Sequence, residues 1–308
     1  MLETAFSEGL YEFMDSYDGF IIDQWGVLHD GVKPYEGVLD VLQQLKAQKK
    51  QVVILSNSGK RSDYNKSRLK QLGFKPTTFK AVVSAGEVTW QGLKNRDTDV
   101  FDGLGENVYL INRGGDRALL EGLDINVVEQ VEDANFILIT GVDAPKKTIE
   151  DYEPILRQAV TKGIPAICAN PDIVTLFGHE RAMGPGAVAM RYQEFGGVAH
   201  FIGKPHNPIF KHCLSLFDDV MPARVLVIGD SLYHDVAGGL AMDLDTAFIT
   251  SGIHAKAFKP ELTSDQKHKN MEQLVQNYGA RPNWVLNGLI WQTPAAALRE
   301  RERARMKE

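Results

Sequence analysis

The sequence predicts an α/β protein with a parallel sheet and a second α/β domain inserted into the first. Short apolar, β-branched runs alternate along the chain with segments of helical periodicity, which is the pattern of strand–helix–strand units. That pattern restarts in the middle of the chain, and 308 residues exceed what one hydrophobic core usually supports. We therefore expect residues 1–85 and 197–308 to form a discontinuous domain around an inserted domain of residues 86–196.

The first domain begins with a predicted helix over residues 2–17, where apolar residues recur at helical spacing. The run Phe20-Ile21-Ile22 is too short for a helix and predicts a buried strand, which Asp23 follows directly. The chain then alternates between predicted helices and strands in a regular order. These are helices over 38–45, 62–72 and 85–94, and strands over 51–55 and 81–84.

The inserted domain and the return to the first domain show the same alternation. The inserted part has predicted strands over 108–111, 136–140 and 165–169, and predicted helices near 116–122, over 148–163 and from 184 to 195. The returning part has predicted strands over 199–203, 224–228 and 245–249, and predicted helices over 207–217, over 237–242 and from 264. The run 284–286 predicts an edge strand, and the charged tail 294–308 predicts a solvated helix.

Composition excludes several classes of protein. The net charge is −6 with both signs spread along the chain, which argues against a nucleic-acid-binding surface. No apolar run approaches the roughly 18 to 20 residues of a membrane span, and the first residues lack the pattern of a signal peptide. Cys168 and Cys213 lie in separate apolar segments and are expected to be buried, reduced thiols. We therefore expect a cytoplasmic protein that acts on neither membranes nor nucleic acids.

Polar residues follow several of the predicted strands or open the helices after them, namely Asp23, Ser56, Lys204, Asp230 and Asp235. Ligands of open α/β sheets bind at the carboxyl ends of the strands, so these side chains could converge. Their chemistry is that of phosphoryl transfer to a carboxylate, with Asp23 as nucleophile. Asp23 and Asp230 could also supply the oxygen ligands that Mg²⁺ prefers, and Lys204 could neutralise the phosphoryl oxygens. A lone Asp at this position would equally fit a helix cap.

Four motifs in order resemble the haloacid dehalogenase (HAD) superfamily. They are the strand that ends in Asp23, ILSNS at 54–58, GKPHNP at 203–208 and VIGDSLYHDVAGG at 227–239. The inserted part, which contains ANPD and later GPGA, resembles the cap of the class IIA branch. The match extends from about residue 17 to 289 and implies a Rossmann-like core with an inserted α/β cap. Class IIA relatives include phosphatases of nucleotides, sugar phosphates, nitrophenyl phosphate and pyridoxal phosphate.

The resemblance implies roles for individual residues. Mg²⁺ would be held by Asp23, by the backbone carbonyl of Trp25 and by Asp230. Asp235 would orient Lys204 or a metal-bound water and not bind the metal directly. The phosphoryl group would be bound by Ser56, Asn57 and Lys204. Weaker expectations by family position assign substrate contacts in the cap to Asn170, Asp172, Thr175 and Val142. Class IIA relatives often dimerise through their caps, so the resemblance also implies a homodimer.

One residue departs from the family pattern. Most HAD phosphatases have a second Asp at the position of Trp25, and that Asp protonates the leaving oxygen; such general acid help is worth roughly 10²–10⁴-fold in rate. Three interpretations stay open. The leaving group is a good one, such as an acyl phosphate, aryl phosphate or anhydride; or His29 or Asp30 delivers the proton; or the protein binds a phosphorylated ligand with little turnover. The sequence DQWGVLHDG at 23–31 resembles a DxWGVxHxG subgroup of predicted hydrolases, which leaves the substrate open.

The sequence therefore predicts a Mg²⁺-dependent phosphatase of a small phosphorylated metabolite, acting through a phosphorylated Asp23. The first alternative is a regulatory protein that binds a phosphorylated ligand. A metal-free dehalogenase is a second, but two further acidic residues beside a nucleophilic carboxylate make little sense without a cation. A phosphoacceptor receiver domain is a third, and the inserted cap argues against it.

Overall fold

A computed structural model describes residues 4–177 and 180–292 of the chain. Eight α-helices and fourteen strands lie in this described part. The helices are α1 Val38–Ala47, α2 Ser62–Gln71, α3 Ala85–Asn95, α4 Glu153–Lys162, α5 Pro185–Glu194, α6 Asn207–Ser215, α7 Ala237–Leu240 and α8 Ser264–Tyr278. The strands are β1 Ala5–Ser7, β2 Gly19–Asp23, β3 Gln51–Ser56, β4 Ala81–Ser84, β5 Asn107–Ile111, β6 Asn126–Val128, β7 Phe136–Ile139, β8 Ala166–Cys168, β9 Val174–Phe177, β10 Glu180–Met183, β11 Ala199–Phe201, β12 Val225–Gly229, β13 Asp245–Ile249 and β14 Trp284–Leu286.

Contacts divide the chain into two units. The first comprises Met1–Leu55, Lys66–Val82 and Phe210–Glu308, and the second comprises Ser56–Asn65 and Val83–Ile209. The boundaries 1–85, 86–196 and 197–308 that the sequence predicts for a core and a cap stay a prediction.

A seven-stranded sheet has the order β1-β14-β13-β12-β2-β3-β4. The pairs of β12 with β13 and with β2, and of β2 with β3, are all parallel. The two central strands β2 and β12 are buried along their whole length, as expected for a parallel sheet covered on both faces. A large apolar core packs against this sheet, with Phe20, Ile22 and Ile228 among its fully buried members.

The second unit has its own five-stranded sheet in the order β11-β8-β7-β5-β6. All neighbouring strands of this sheet pair in parallel, for example β7 with β8 and β5 with β7. Helices α4 and α5 belong to the apolar core of this unit through Leu156 and Tyr192, both fully buried. An antiparallel hairpin of β9 and β10 follows β8.

Two predictions near the chain ends are wrong. The helix predicted over 2–17 does not form in its described part, residues 4–17: β1 and two short 3₁₀ turns, Leu10–Glu12 and Met14–Ser16, take its place. The N–H groups of Leu10 and Tyr11 donate to the carbonyls of Ile290 and Trp291, so this segment bonds to the far end of the described chain. The strand β14 is not at the edge, because the unpredicted β1 pairs beyond it.

Other differences are local. The helix predicted near 116–122 is only a 3₁₀ turn, Ala118–Leu120, and the helix over 148–163 begins later, at Glu153. The hairpin of β9 and β10 and the short strand β6 were not predicted. Cys168 and Cys213 are both buried and not disulfide-bonded, as expected. The predicted helix of the tail, 294–308, lies outside the described residues. No helix in the described part is both long and apolar enough to cross a membrane.

Candidate active site

Two neighbouring parallel strands bring acidic side chains to one edge of the seven-stranded sheet. Asp23 is the last residue of β2, and Asp230 directly follows β12. Ile22 pairs with Ile228 in this ladder, so the two strands end at the same level. Because the carboxyl ends of parallel strands meet at one edge, the two carboxylates predicted from the sequence lie close together.

Asp23, Asp230 and Asp235 form the acidic cluster of the first unit. Each offers a carboxylate oxygen, and these oxygens all lie within 4.8 Å of one another. All three residues are buried, with 7%, 3% and 1% of their surface exposed. Three carboxylates so close together and so far from water repel one another strongly unless a cation offsets them. The cluster therefore fits a hard divalent cation, for which carboxylate oxygens are the usual ligands.

Two glycines leave room for the Asp230 carboxylate. A Cβ at Gly26 or at Gly252 would lie 2.1 Å from Asp230 Oδ2, far inside van der Waals contact. The N–H of Ile253 donates to the same oxygen at 2.9 Å. Two loops, one after β2 and one after β13, thus converge on a single oxygen atom. Neither Gly252 nor Ile253 was predicted to belong to the site.

Asp235 lies in a π-helical turn, Leu232–Val236, that follows Ser231 and precedes α7. The N–H of Ser231 donates to Asp235 Oδ2 at 3.2 Å. A Cβ at Gly229 would lie 2.0 Å from the Asp235 carboxyl carbon, so the end of β12 packs directly on this carboxylate. The helix predicted over 237–242 is therefore only the single turn α7, which continues the π-helical turn. The predicted supporting role of Asp235 stays a prediction.

The loop after β2 carries Trp25, which is 46% exposed. Its shape is fixed by hydrogen bonds from the Gly26 N–H to the His29 carbonyl and from the Leu28 N–H to the Gln24 carbonyl. Gly31 has a φ of +89°, and a Cβ there would lie 3.2 Å from the indole nitrogen of Trp25. The loop thus holds a large aromatic side chain two residues from Asp23, at the position of the missing acid.

His29 is buried inside this loop and has both ring nitrogens engaged. The N–H of Gly31 donates to Nδ1 at 3.0 Å, so Nδ1 carries no proton. Nε2 lies 3.1 Å from the amide nitrogen of Gln24, whose Oε1 has no hydrogen-bond partner in the described part of the chain. A neutral ring has its proton on Nε2, and it bonds well to Gln24 only if that amide turns its oxygen toward the ring. Burial lowers the pKa of His29 to about 4, so the ring is neutral near pH 7.

Asp30 is the second predicted proton donor, and it stabilises a turn. Its Oδ1 accepts the N–H groups of Val32 and Lys33, each at 2.8 Å. These backbone hydrogen bonds, first that of Lys33 and then that of Val32, lower the pKa of Asp30 below its ordinary value. A carboxylate that is ionised at neutral pH has no proton to give. The contacts of His29 and Asp30 therefore favour structural roles for both.

Asn57 connects two other predicted site residues, Asp172 and Lys204, within the second unit. Its Nδ2 donates to Asp172 Oδ1 at 2.8 Å and to the Lys204 carbonyl at 3.3 Å. Its Oδ1 accepts the N–H of Lys204 at 2.7 Å. Asn57 and Lys204 are both buried, and a Cβ at Gly203 would lie 2.6 Å from Asn57 Oδ1. The amide thus holds the backbone that carries Lys204, a role that the sequence analysis did not assign to it.

The remaining predicted residues also lie in the second unit. Ser56 ends β3, and its Oγ accepts the N–H of Ser58 at 3.3 Å. Asn170 Oδ1 accepts the N–H of Asp172 at 3.0 Å, and Thr175 lies on β9. Val142 is buried in the apolar core of the unit, which leaves its side chain little surface for a substrate.

Comparison with known proteins gives consistent matches. Residues 20–126 match a family model described as haloacid dehalogenase-like hydrolase, and residues 201–290 match one described as HAD-hydrolase-like. An acid sugar phosphatase of Staphylococcus saprophyticus is 23% identical over 245 residues, covering 79% of this chain and 90% of the relative. A 5′-nucleotidase of Bacillus subtilis, YutF, is 24% identical over 242 residues, covering 78% of this chain and 90% of the relative.

Solved structures share the fold. A haloacid dehalogenase-like hydrolase from Brucella suis superposes with a TM-score of 0.76 at 28% identity, covering 92% of this chain and 100% of that chain. A p-nitrophenyl phosphatase from Archaeoglobus fulgidus superposes with a TM-score of 0.69 at 22% identity, covering 88% of this chain and 96% of that chain.

Proposed function

Because the chain belongs to the haloacid dehalogenase-like hydrolases, we propose that it is a Mg²⁺-dependent phosphatase of a small phosphorylated metabolite. Asp23 is the proposed nucleophile. The observation that carries this proposal is the acidic cluster, in which three buried carboxylates have oxygens within 4.8 Å of one another. Folding brings three negative charges together, which costs free energy unless a bound cation offsets them.

In the proposed reaction an oxygen of Asp23 attacks phosphorus. The new P–O bond forms as the bond to the leaving oxygen breaks, and the leaving group takes the electron pair. Water then cleaves the aspartyl phosphate, which releases inorganic phosphate and restores the carboxylate. Lys204 would offset charge on the phosphoryl oxygens, and Ser56 would hydrogen-bond to them. Asn57 would act by holding the backbone of Lys204, since its amide already bonds within the protein.

Mg²⁺ would be held by Asp23, Asp230 and the carbonyl of Trp25, with Asp235 supporting the arrangement. When bound, it would offset the negative charge that builds up on the phosphoryl group. Gly26 and Gly252 favour this assignment, because neither has a side chain at the point where its backbone approaches the Asp230 carboxylate.

The named functions of the relatives support phosphatase activity. Both the acid sugar phosphatase and the 5′-nucleotidase match this chain over most of their length. They do not support the alternative of a regulatory protein that binds a phosphorylated ligand without turnover. Sugar phosphates and nucleotides are therefore reasonable first substrates to test.

Substrate choice is proposed to reside in a cap of residues 86–196, with Asn170, Asp172 and Thr175 near the ligand. The burial of Val142 argues against a direct contact. A homodimer that forms through the cap and a cytoplasmic location complete the proposal. Light scattering on the purified chain checks the dimer, since a monomer mass at micromolar concentration would contradict it.

Steady-state hydrolysis of acetyl phosphate and p-nitrophenyl phosphate tests the proposal. We expect turnover with Mg²⁺, loss of turnover in EDTA, and a loss of about 10³-fold or more in Asp23→Asn, as when other covalent nucleophiles are removed. Asp40→Asn is the matched control, because Asp40 is an exposed residue of the same unit on α1. Metal-independent turnover, or full activity in Asp23→Asn, would refute the proposal.

A further inference from the structure

The loop after β3 runs along the carboxyl edge of the sheet in the second unit. The strands β5, β7, β8 and β11 end at the same level there, because their last residues pair with one another. Residues 56–60 approach the segment that follows each of these strands. The contacts are those of Asn57 with Lys204 after β11 and with Asp172 after β8, of Gly59 with the Thr140 carbonyl after β7, and of the Lys60 ammonium with Asp116 after β5.

The contact between Asn57 and Asp172 joins two of these segments firmly. Asp172 Oδ1 accepts the Asn57 amide nitrogen at 2.8 Å, whereas the same nitrogen lies 3.3 Å from the Lys204 carbonyl. Hydrogen bonds to an ionised acceptor are roughly twice as strong as those between neutral groups. Asp172 is therefore the firmer of the two acceptors that hold the Asn57 amino group.

Asp172 is itself fixed by its backbone. Its N–H donates to Asn170 Oδ1 at 3.0 Å, and its carbonyl accepts the N–H of Gly186 in the first turn of α5 at 3.0 Å. A Cβ at Gly184 would lie 2.0 Å from that same carbonyl oxygen, so the start of α5 packs directly on the turn after β8. The carboxylate that holds Asn57 thus belongs to a turn that two elements support.

Lys204 depends on Asn57 for its backbone contacts. Its N–H donates to Asn57 Oδ1 at 2.7 Å, and its carbonyl accepts from Asn57 Nδ2. Within residues 4–177 and 180–292, the bond to Asp172 is the one hydrogen bond that ties the Asn57 side chain to a residue other than Lys204. Without it, the Asn57 side chain would keep its bonds to Lys204 but would lose its hydrogen bond to the turn after β8.

We propose that Asp172 is a positioning residue, which anchors Asn57 and through it fixes the backbone of Lys204. The inference rests on the proposed phosphatase function, in which Lys204 offsets charge on the phosphoryl oxygens. Asp172 then acts on the phosphoryl side of the reaction, and its effect is the same for every substrate. This role replaces the contact with the substrate that the family position implies for Asp172.

Kinetics on two phosphates with different leaving groups test the role. In Asp172→Ala we expect kcat to fall by about 10-fold for both acetyl phosphate and p-nitrophenyl phosphate, because a displacement of about 1 Å can cost up to 10²-fold. KM should change by less than about 3-fold for either substrate, as expected when ground-state binding is kept. A contact with the leaving group would instead give unequal losses and a raised KM.

Two further variants frame this result. Asp172→Asn keeps an acceptor oxygen without the charge, so its kcat should fall by less than about 3-fold. Asp151→Ala is the control, because Asp151 is an exposed carboxylate of the second unit that accepts the Thr148 N–H at 2.8 Å. It should leave both rates unchanged.

A double-mutant cycle shows whether Asp172 acts through Asn57. If it does, Asn57→Ala with Asp172→Ala should be about as slow as Asn57→Ala alone, within about 2-fold, whereas independent effects multiply. Thermal unfolding shows whether each variant is folded. Should Asp172→Ala fail to fold, Asp172→Ser repeats the cycle with a polar side chain whose oxygen stops short of Asn57.

Equal losses on both substrates, with no further loss in the double variant, support the proposal. An unchanged kcat in Asp172→Ala, losses that differ between the substrates, losses that multiply in the double variant, or an equal loss in Asp151→Ala overturn it while the phosphatase function stands. If wild type hydrolyses neither phosphate, the phosphatase function itself fails.

Discussion

Asn57 shows how a single side chain can serve a site without touching a ligand. Its amide oxygen accepts the N–H of Lys204, and its amide nitrogen donates both to the Lys204 carbonyl and to the Asp172 carboxylate. From the sequence alone Asn57 looks like a phosphate ligand, because it directly follows Ser56. The observed contacts instead indicate that it positions Lys204.

Replacing Asn57 with Ala should therefore lower kcat by about 10- to 100-fold with a smaller change in KM, because a lysine displaced by about 1 Å loses much of its effect. Steady-state kinetics on acetyl phosphate measure this. Asn65→Ala is the control, since Asn65 is also a buried amide of the second unit and donates to the carbonyls of Lys60 and Arg61. Equal losses in both variants would point to general destabilisation instead.

His29 offers a second prediction at this scale. In His29→Asn the new amide oxygen can still accept the Gly31 N–H, so we expect kcat to fall less than about 3-fold and its pH profile to keep its shape. His29→Ala leaves the Gly31 N–H without its acceptor and should lower the free energy of unfolding by about 1–3 kcal/mol. Denaturant titration and pH–rate profiles give both results. A selective loss of alkyl phosphate turnover in His29→Asn would instead restore His29 as proton donor.

Sequence reasoning places Asp23, Asp230 and Asp235 together because residues that follow parallel strands share an edge. It does not find Gly26 or Gly252, because each matters through one close approach to the Asp230 carboxylate and not through a local pattern. Gly26 lies more than 200 positions from Asp230 and Gly252 lies 22 positions from it, so neither approach leaves a mark in local spacing.

Among the elements, the loop after β2 matters most for the site, and Gly26 is its tightest point. Gly26→Ala places a Cβ 2.1 Å from Asp230 Oδ2 and should abolish most Mg²⁺ binding and activity. Gly73→Ala is a close control: its φ of +93° matches the +89° of Gly26, but no atom lies within 4 Å of the added Cβ. Gly73→Ala should lower the free energy of unfolding by about 1 kcal/mol or more and leave activity intact. Calorimetric Mg²⁺ titration and hydrolysis rates compare the two, and similar activity losses would remove the steric argument.

Elements with strong local patterns were predicted well, including β2, β3, β12 and the helix α1. The failures have two physical causes. The segment 2–17 has apolar residues at helical spacing, but the N–H groups of Leu10 and Tyr11 bond to residues near 290, so long-range pairing outweighed local preference. The hairpin of β9 and β10 is a local pairing, but its two short strands lack a strict alternation of apolar and polar residues and so leave no periodic signal.

For the molecule as a whole, the predicted α/β fold and membership in the haloacid dehalogenase-like hydrolases are confirmed. The sequence could predict both, because four motifs in one order are far more specific than any one of them. The division into a core and a cap, the roles of single residues and the substrate stay proposals. These depend on the placement of side chains and on a ligand, which periodicity does not report.

Thermal unfolding tests whether Mg²⁺ binds and stabilises the folded molecule. A cation that binds only the folded chain and is present at 100 times its Kd adds about 2.7 kcal/mol, so Mg²⁺ should raise the Tm by several degrees. In EDTA, Asp230→Asn should be at least as stable as wild type, because it removes one of three crowded negative charges. With Mg²⁺ it should show little further gain. A variant that is clearly less stable than wild type in EDTA would contradict the assumed repulsion.

The most direct measurement is to find where the phosphoryl group goes. The enzyme is mixed with p-nitrophenyl phosphate and Mg²⁺, quenched with acid within one turnover, digested and analysed by mass spectrometry. We expect a phosphorylated peptide that contains Asp23, absent in EDTA and in Asp23→Asn and present in Asp40→Asn. Turnover without a phosphorylated peptide, or phosphate on another residue, would contradict Asp23 as the nucleophile.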